Sequence, residues 1–213
     1  MIRSRFRRGS DSGAESTVAE VEQLCRDRDL EAAEKTAREL VPEAPDFLRA
    51  HALVLVANCS FGAGDVPAAV RLYREVSKRF PKTAAGQNAT YELGRIAVQR
   101  DEPAQAIAAF TKYLKRYHHG PLASEALFRT CVLHMEAEDF KRALRCAKRY
   151  QRRFAKGQRS SRAVFMEATI HRSAFDDCRK AIEAYDRYLA HPGKYEDEAR
   201  SWKKWCVERL GGN

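Results

Sequence analysis

The sequence predicts an all-α protein, an α-solenoid of about five helical hairpins that ends in a C-terminal capping helix. First, Ala, Leu, Glu, Arg and Lys dominate a chain of 213 residues with only 11 Gly and 7 Pro, a composition that favours helix over strand. Second, one short motif recurs five times at a nearly constant period. Third, the apolar residues inside each copy follow helical spacing and do not alternate.

The recurring motif is centred on a small residue. An alanine marks the five copies, at Ala33, Ala69, Ala106, Ala143 and Ala181, with successive separations of 36, 37, 37 and 38 residues. An aromatic residue follows four positions later in three copies, at Tyr73, Phe110 and Tyr185. We expect the alanine where the two helices of a hairpin approach most closely, and the aromatic ring in the gap to the next hairpin.

The third copy shows the two predicted helices most clearly. Residues 87–100 form the first helix, and the acidic turn Asp101-Glu102 supplies the cap of the second. Pro103 follows at the first helical position, where an N–H would have no intrahelical partner. The apolar stripe of the second helix consists of Ala106, Ile107, Phe110, Tyr113, Leu114 and Tyr117. The second copy repeats the capping arrangement at Asp65 and Pro67.

Three regions are predicted along the chain. We expect residues 1–13 to form a flexible basic tail, residues 14–193 the repeat array, and residues 194–213 a capping helix and tail. The capping helix is predicted over 196–210, with apolar residues Trp202, Trp205, Val207 and Leu210. No apolar run follows the basic start of the chain, which predicts a cytoplasmic location rather than export.

The second and third copies carry the positions by which a known repeat family is recognised. They are Leu53, Val56, Ala57, Gly64, Asp65, Ala69, Tyr73, Val76 and Pro81 in the second copy, and Leu93, Gly94, Ala106, Phe110 and Tyr113 in the third. Over about residues 14–193 the chain therefore resembles tetratricopeptide repeat (TPR) proteins. Its long copies are similar to those of the bacterial TPR subgroup of envelope-assembly and coordinator proteins, although an export signal is not seen. The resemblance implies TPR-like hairpins whose first helices line a concave groove where partners dock.

No motif predicts catalysis, and we expect neither an enzyme nor a cofactor nor a small-molecule substrate. The stretch Gly62-Ala63-Gly64 lacks the Lys-Ser/Thr of a phosphate-binding loop. The six histidines include no i, i+4 pair on a helix, so no metal site is predicted. The six cysteines are far apart and form no C-x-x-C motif, which indicates reduced thiols that pack as small apolar side chains.

Projection of the first helices onto the implied groove gives a set of candidate partner-binding residues. They are Val54, Asn58, Phe61, Asn88, Tyr91, Arg95, Val98, Phe128, Val132 and Met135. Some TPR proteins hold a peptide's terminal carboxylate with Lys, Asn and Arg; Asn58 and Arg95 match two of these positions, but Val54 replaces the Lys. The apolar members better suit an amphipathic helix of a partner or the chain's own tail. Internal packing between hairpins is the alternative interpretation of the same residues.

A second candidate surface is the basic run from Lys141 to Arg162, which contains no acidic residue. Helical spacing places four of its arginines on an outer face, and with Lys148 they form the candidate basic surface: Arg145, Lys148, Arg149, Arg152 and Arg153. Such a stripe attracts phosphates through counterion release. A solvated outer face and a docking surface for an acidic protein are the other interpretations.

The sequence thus favours a binding scaffold. The leading hypothesis is an adaptor or assembly factor that holds a partner protein, as a peptide, a helix or an acidic surface, in its groove. The net charge of +10 favours acidic partners. The alternative is association with nucleic acid or an anionic membrane through the tail and the Lys141–Arg162 stripe. Self-association through exposed repeat edges is a third interpretation.

Overall fold

The computed structural model describes residues 3–40, 44–157 and 159–211, with side chains from residue 13 onward. Within these residues all regular structure is helical, which confirms the predicted fold class. The helices are α1 Arg3–Arg26, α2 Leu30–Glu39, α3 Asp46–Gly62, α4 Val66–Arg79, α5 Ala84–Gln99, α6 Pro103–Arg116, α7 Ala123–Glu136, α8 Phe140–Arg153, α9 Ser160–Ser173, α10 Cys178–Leu189 and α11 Glu196–Gly211.

Consecutive helices pack as five hairpins, as the repeat predicts. Four are formed by α1 with α2, α3 with α4, α7 with α8, and α9 with α10. In the remaining hairpin, formed by α5 and α6, the Tyr91 ring of α5 lies 5.4 Å from the Phe110 ring of α6. The chain divides into an N-terminal unit, residues 1–113, and a C-terminal unit, residues 114–213.

The turn inside each hairpin has the same backbone conformation. One residue per turn has a positive φ: Arg28 (63°), Gly64 (89°), Asp101 (55°), Glu138 (53°) and Asp176 (51°). These residues are separated by the same 36, 37, 37 and 38 positions as the repeated alanines. The repeat is therefore present in the backbone as well as in the side chains. Only one copy places glycine, the residue best suited to this left-handed conformation, at the position.

An aspartate directly after this turn residue caps the second helix in four hairpins. Its side-chain oxygen accepts a hydrogen bond from the backbone N–H three residues later, at distances of 3.0 to 3.1 Å, in Asp29, Asp65, Asp139 and Asp177. The cap predicted at Asp65 is thus present. These bonds satisfy N–H groups that have no partner within the helix.

The repeated alanines lie at the centre of the hairpin packing. All five are fully buried, and so are the aromatic rings at Tyr73, Phe110 and Tyr185. Gly94 of α5 meets the Phe110 ring so closely that a Cβ at this position would lie 2.6 Å from a ring carbon. The motif therefore specifies close helix contact, with a small residue opposite a large one.

The first and last of the described residues belong to helices. Helix α1 already begins at Arg3, inside the region expected to be a tail, while Met1 and Ile2 lie outside the described residues. The flexibility of residues 1–13 stays a prediction, as do the region boundaries. Helix α11 packs on α10 and buries only Ala199 and Cys206. None of the described helices is long and apolar enough to cross a bilayer, and the cytoplasmic location stays a prediction.

Candidate functional site

In the N-terminal unit, the first helices of the second and third hairpins each keep one side exposed. Helices α3 and α5 pack against each other and against α4. On α3 the exposed side contains His51 and Asn58, and on α5 it contains Asn88 and Gln99. We call the surface formed by Asn58, Asn88, Glu92 and Arg95 the polar face.

Asn58 is held in place by a buried tyrosine of the neighbouring helix. The Tyr73 hydroxyl of α4 donates a hydrogen bond of 2.5 Å to the Oδ1 of Asn58. Burial raises the pKa of Tyr73, so its phenol stays protonated and remains a donor at neutral pH. The carbonyl of the Asn58 amide is therefore engaged, while its NH₂ group has no partner among the described residues.

Arg95 and Glu92 form an ion pair on the exposed side of α5. Their Nε and Oε2 atoms lie 3.3 Å apart, and the Arg95 side chain is 40% exposed. Both charges act on Tyr73, with Glu92 raising and Arg95 lowering the pKa of the phenol, so the pair lies near the Asn58 contact. Asn88 is exposed one turn before Glu92. The polar face thus combines fixed amide, carboxylate and guanidinium groups.

The remaining predicted groove residues of this unit are partly or fully inside the fold. Val54 and Tyr91 are buried, with Tyr91 packed between the rings of Phe110 and Tyr113. Phe61 and Val98 are half-buried. Internal packing, the alternative interpretation, therefore accounts for Val54 and Tyr91.

Sequence reasoning missed Glu92 and the role of Tyr73. Glu92 follows Asn88 at a spacing of four, which places both on one side of a helix, and this spacing was an available signal. Asn58 and Tyr73 are 15 positions apart in the chain and belong to two different helices, α3 and α4. Their contact depends on how α3 and α4 dock, which the pattern of either helix alone does not determine.

In the C-terminal unit, Phe128 of α7 does not form an open apolar floor. It is buried, and the guanidinium groups of Arg159 and Arg162 lie 4.9 and 5.2 Å from its ring centroid. Glu125 pairs with Arg159 at 2.7 Å. Val132 and Met135, the other two candidates on α7, are half-buried. Charged side chains therefore cover the ring that was expected to contact a partner.

The predicted basic stripe lies on α8, and its members have different environments. Arg153 is half-buried, donates a hydrogen bond to the His118 carbonyl and packs over the Phe154 ring. Lys148 is exposed and lies 3.4 Å from the Glu167 carboxylate. Arg145, Arg149 and Arg152 are exposed, and none has an ion pair or hydrogen bond with another described residue. We call these three arginines the α8 arginine face.

A buried carboxylate lies beneath this surface. Glu167 of α9 accepts a hydrogen bond of 2.8 Å from Gln151 and forms a 3.0 Å ion pair with Arg187 of α10. Burial favours the neutral acid, but the hydrogen bonds from Gln151 and Arg187 outweigh it and hold the pKa of Glu167 below its ordinary value. Glu167 therefore joins α8, α9 and α10 and neutralises part of the basic charge.

The described residues contain no group of three or more His, Cys, Asp or Glu side chains arranged to hold a metal ion. The two candidate surfaces are the polar face on α3 and α5 and the α8 arginine face. Their chemistry is hydrogen bonding and charge pairing, which suits binding.

Comparison with known proteins identifies the repeat. The tetratricopeptide repeat family model matches residues 57–117 and 91–156 of this chain. No curated protein sequence gives a significant match.

Solved structures share the fold at low sequence identity. The crystal structure of MamA matches with a TM-score of 0.56 and 18% identity, covering 76% of this chain and 88% of MamA. YrrB, described as a TPR protein with an unusual peptide-binding site, matches with a TM-score of 0.57 and 16% identity over 95% of this chain and 96% of its own. PilF of Pseudomonas aeruginosa matches with a TM-score of 0.57 and 12% identity, covering 95% of this chain and 93% of PilF. Residues 57–156 therefore match the tetratricopeptide repeat family, and the five helical hairpins share the fold of these structures.

Proposed function

We propose that this protein is a non-enzymatic scaffold that binds a peptide segment of a partner protein on the polar face of α3 and α5. The observation that carries the proposal is the set of polar groups exposed side by side on two packed helices. Asn58 is fixed by Tyr73, and Arg95 is fixed by Glu92. Groups that are already ordered lose little conformational entropy on binding, which favours recognition.

The amide groups match the chemistry of a peptide backbone. A peptide presents N–H donors and C=O acceptors, and an Asn side chain offers both kinds of group. The Asn58 NH₂ group is available to a backbone carbonyl, because only its oxygen is used by Tyr73. Asn88 is exposed on the adjacent helix and offers a second amide.

The charged group indicates the kind of peptide. The Nε atom of Arg95 lies 3.3 Å from Glu92, and the Arg95 side chain is 40% exposed, so its guanidinium group can be reached by a carboxylate from solution. The net charge of +10 adds a long-range attraction for acidic segments. The proposed ligand is therefore a peptide with an acidic side chain or terminal carboxylate opposite Arg95. The fold shared with YrrB, a TPR protein with a peptide-binding site, supports this class of ligand.

Selection from a displayed library of acidic peptides tests the proposal. Selected peptides are then titrated by calorimetry against the full chain and against an Asn58→Ala/Arg95→Ala variant. We expect at least a tenfold loss of affinity in the variant, equivalent to about 1.4 kcal/mol, because both fixed groups are removed.

A matched control removes the same kinds of group elsewhere in the N-terminal unit. Thr111 and Lys112 are exposed on α6, and a Thr111→Ala/Lys112→Ala variant also loses one neutral polar group and one positive charge. This control should bind the selected peptides as the unmodified chain does. Equal losses in both variants, or none in either, would contradict the proposal, provided that circular dichroism shows both to be folded.

The α8 arginine face supports a second candidate function, the binding of nucleic acid. Arg145, Arg149 and Arg152 are exposed without ion pairs among the described residues, so contact with phosphates would not disrupt an existing bond. If the three arginines neutralise three phosphates of a single strand, the affinity should fall as salt is added. The slope of the logarithm of the binding constant against the logarithm of the salt concentration should be about −2.

Charge reversal distinguishes this candidate from the first. A fluorescent single-stranded oligonucleotide is titrated at several salt concentrations with the unmodified chain and with an Arg145→Glu/Arg149→Glu/Arg152→Glu variant. The control reverses Lys78, Lys82 and Lys112, which are exposed in the N-terminal unit. Loss of binding and of the salt slope in the arginine variant alone supports the nucleic-acid candidate, whereas equal behaviour of the two variants excludes it. Parallel titrations with anionic vesicles test whether a membrane surface is the preferred polyanion.

A further inference from the structure

Helix α11 exposes large apolar side chains where a terminal capping helix normally presents polar ones. Helix α11 packs on α10 and buries Ala199 and Cys206 in that contact. Among the described residues, six large apolar side chains are exposed, and four of them lie on α11: Trp202, Trp205, Val207 and Leu210. Exposed apolar groups that are concentrated on one helix indicate a surface that another molecule covers.

The two tryptophans lie between opposite charges on one side of this helix. We call four exposed residues, at spacings of four, three and four positions, the α11 stripe: Glu198, Trp202, Trp205 and Arg209. These spacings place the four side chains on one side of a helix. The stripe is about 16 Å long, since each helical residue advances the axis by about 1.5 Å.

Contacts within the chain hold both indole rings in place. The guanidinium carbon of Arg172 lies 3.7 Å from the centroid of the Trp202 ring. That of Arg209 lies 5.0 Å from the centroid of the Trp205 ring. The two rings meet edge to face, with centroids 6.2 Å apart, and each tryptophan is still more than a third exposed. Rings that are already ordered lose little conformational entropy on association.

We propose that the α11 stripe is a homodimer interface, in which the α11 helices of two copies of this chain pack antiparallel about a twofold axis. The charges and the spacing of the stripe carry the proposal. A spacing of four, three and four residues reads the same in both directions, so the two stripes match position by position. Glu198 then faces Arg209 of the second copy, and Trp202 faces Trp205 of the second copy. Twofold symmetry forms each of these contacts twice.

The charges determine the orientation of the pair. A parallel pair would place Glu198 against Glu198 and Arg209 against Arg209, and like charges at an interface oppose association. Glu198 has no ion pair or hydrogen bond with another described residue, so its carboxylate is available. Arg209 lies 2.7 Å from Asp176 of its own chain, but its side chain is 50% exposed and can also meet a second carboxylate.

The size of the helix predicts a reversible dimer. Helix α11 has 16 residues and is therefore about 24 Å long. A contact between two such helices is small compared with the interfaces of permanent dimers. Association should therefore depend on the protein concentration.

The experiment measures the mass of the full chain by sedimentation equilibrium over a concentration series. We expect the mass to rise with concentration from that of one chain to that of two chains and no further. Trp202 and Trp205 are the only two tryptophans of the sequence, so their fluorescence reports on the stripe without a label. Dilution should shift their emission to longer wavelength over the same concentration range, because the rings become exposed to water.

Charge-reversal variants test the pairing of the two stripes. Glu198→Arg alone and Arg209→Glu alone should each weaken the dimer by roughly tenfold or more, because the twofold axis creates two contacts between like charges. The double variant Glu198→Arg/Arg209→Glu should associate as the unmodified chain does, because opposite charges face each other again. An equal mixture of the two single variants should form mixed dimers for the same reason.

Three control variants change charges without altering the stripe. Asp197→Arg and Lys204→Glu reverse exposed charges on other sides of α11. Asp176→Asn removes the charge that Arg209 contacts within its own chain. Each control should dimerise as the unmodified chain does, and circular dichroism confirms that every variant is folded.

A mass of one chain at every concentration would overturn the proposal. So would controls that weaken the dimer as much as the stripe variants do, or a double variant that stays dissociated. Anionic vesicles provide the last test. If the chain stays monomeric and its tryptophan emission shifts to shorter wavelength on these vesicles, the stripe binds a membrane surface and the homodimer is excluded.

Discussion

At the scale of single residues, Glu167 shows how a buried charge can organise several helices. Its carboxylate meets Gln151 of α8 and Arg187 of α10, while Lys148 approaches from the surface. Lys148 and Arg187 are both about half exposed, so water also solvates their charges. The network therefore stabilises the C-terminal unit modestly, and its main effect is to orient α8 and α10 on either side of α9.

We expect Glu167→Gln to lower the free energy of unfolding at pH 7 by about 1–3 kcal/mol, because charged hydrogen bonds are replaced by neutral ones. The folded-state pKa of Glu167 is lowered, so its contribution is present above the ordinary value of 4.5 and is lost as the pH falls through the folded-state pKa. The difference between variant and unmodified chain should therefore shrink below about pH 4.5. Urea denaturation between pH 3 and pH 7 measures it.

The control for this prediction is Glu183→Gln, at an exposed position on α10. It makes the same chemical change without removing a buried contact, and its stability should follow that of the unmodified chain across the pH range. A Glu167→Gln variant that loses the same stability at every pH would contradict the proposed charge network.

Gly94 is a second residue whose identity is imposed by its neighbour. A Cβ added there would lie 2.6 Å from the Phe110 ring, and that ring is fully buried and cannot move aside freely. We expect Gly94→Ala to destabilise the protein by about 1–3 kcal/mol, as overpacking does in other cores. Gly62→Ala is the matched control, because no atom lies within 4 Å of the added Cβ at that position. Thermal unfolding should separate the two variants, and equal melting temperatures would show that α5 and α6 can move apart without loss of stability.

At the scale of the structural elements, the turn between the two helices of a hairpin has two recurring features. The left-handed residue reverses the chain, and the aspartate after it caps the next helix in four hairpins. A residue with a Cβ is strained in this conformation by about 1–2 kcal/mol, whereas glycine is not. Four of the five turns nevertheless contain Arg, Asp or Glu at this position.

Glu138→Gly should therefore stabilise the C-terminal unit. The gain is about 0.5–1 kcal/mol, because relief of the strain exceeds the extra entropy that glycine gives to the unfolded chain. The matched control is Glu136→Gly at the last residue of α7, where glycine replaces a helical residue and should destabilise. Urea midpoints of the two variants should shift in opposite directions, and a lower midpoint for Glu138→Gly would contradict the strain argument.

The helices could be predicted from the sequence, because the signals that begin and end a helix are local. Pro103 begins α6 as its position in the repeat predicted, and the predicted helix 196–210 agrees with α11, Glu196–Gly211. Caps, proline and the period of apolar residues act within one or two turns, so a single sequence contains them. The start of α1 at Arg3 has no comparable signal, because a Gly- and Ser-containing stretch follows the basic residues.

The candidate site could be predicted only in part, because its geometry depends on how far each helix is rotated about its own axis. Neighbouring positions on a helix point about 100° apart, so a small difference in rotation exchanges a surface residue for a core residue. Asn58 and Asn88 are exposed and Arg95 is partly exposed, whereas Tyr91 lies in the core and Glu92 beside it is partly exposed. The binding role of these residues stays a prediction. The covering of Phe128 by Arg159 and Arg162 depends on α9, whose own pattern does not indicate the contact.

At the scale of the whole molecule, the repeat also determines where charges pair. In the N-terminal unit, Glu34 of α2 pairs with Arg71 of α4, and Arg38 of α2 pairs with Glu75 of α4. Both pairs join residues 37 positions apart, close to one repeat period. Helices α2 and α4, the second helices of the first two hairpins, are therefore in register through their surfaces as well as through their cores. The excess of positive charge remains on surfaces such as the α8 arginine face.

Hairpins built from neighbouring helices also determine how the chain reaches its folded state. Most packing partners in each unit are adjacent in the sequence, as α3 is to α4 and α9 is to α10. Such a topology has a low contact order, so little loop-closure entropy is lost before native contacts form. Any one hairpin can serve as the nucleus on which its neighbours then assemble. Folding should be rapid, and a segment emerging from the ribosome can begin to fold before the rest of the chain has been made.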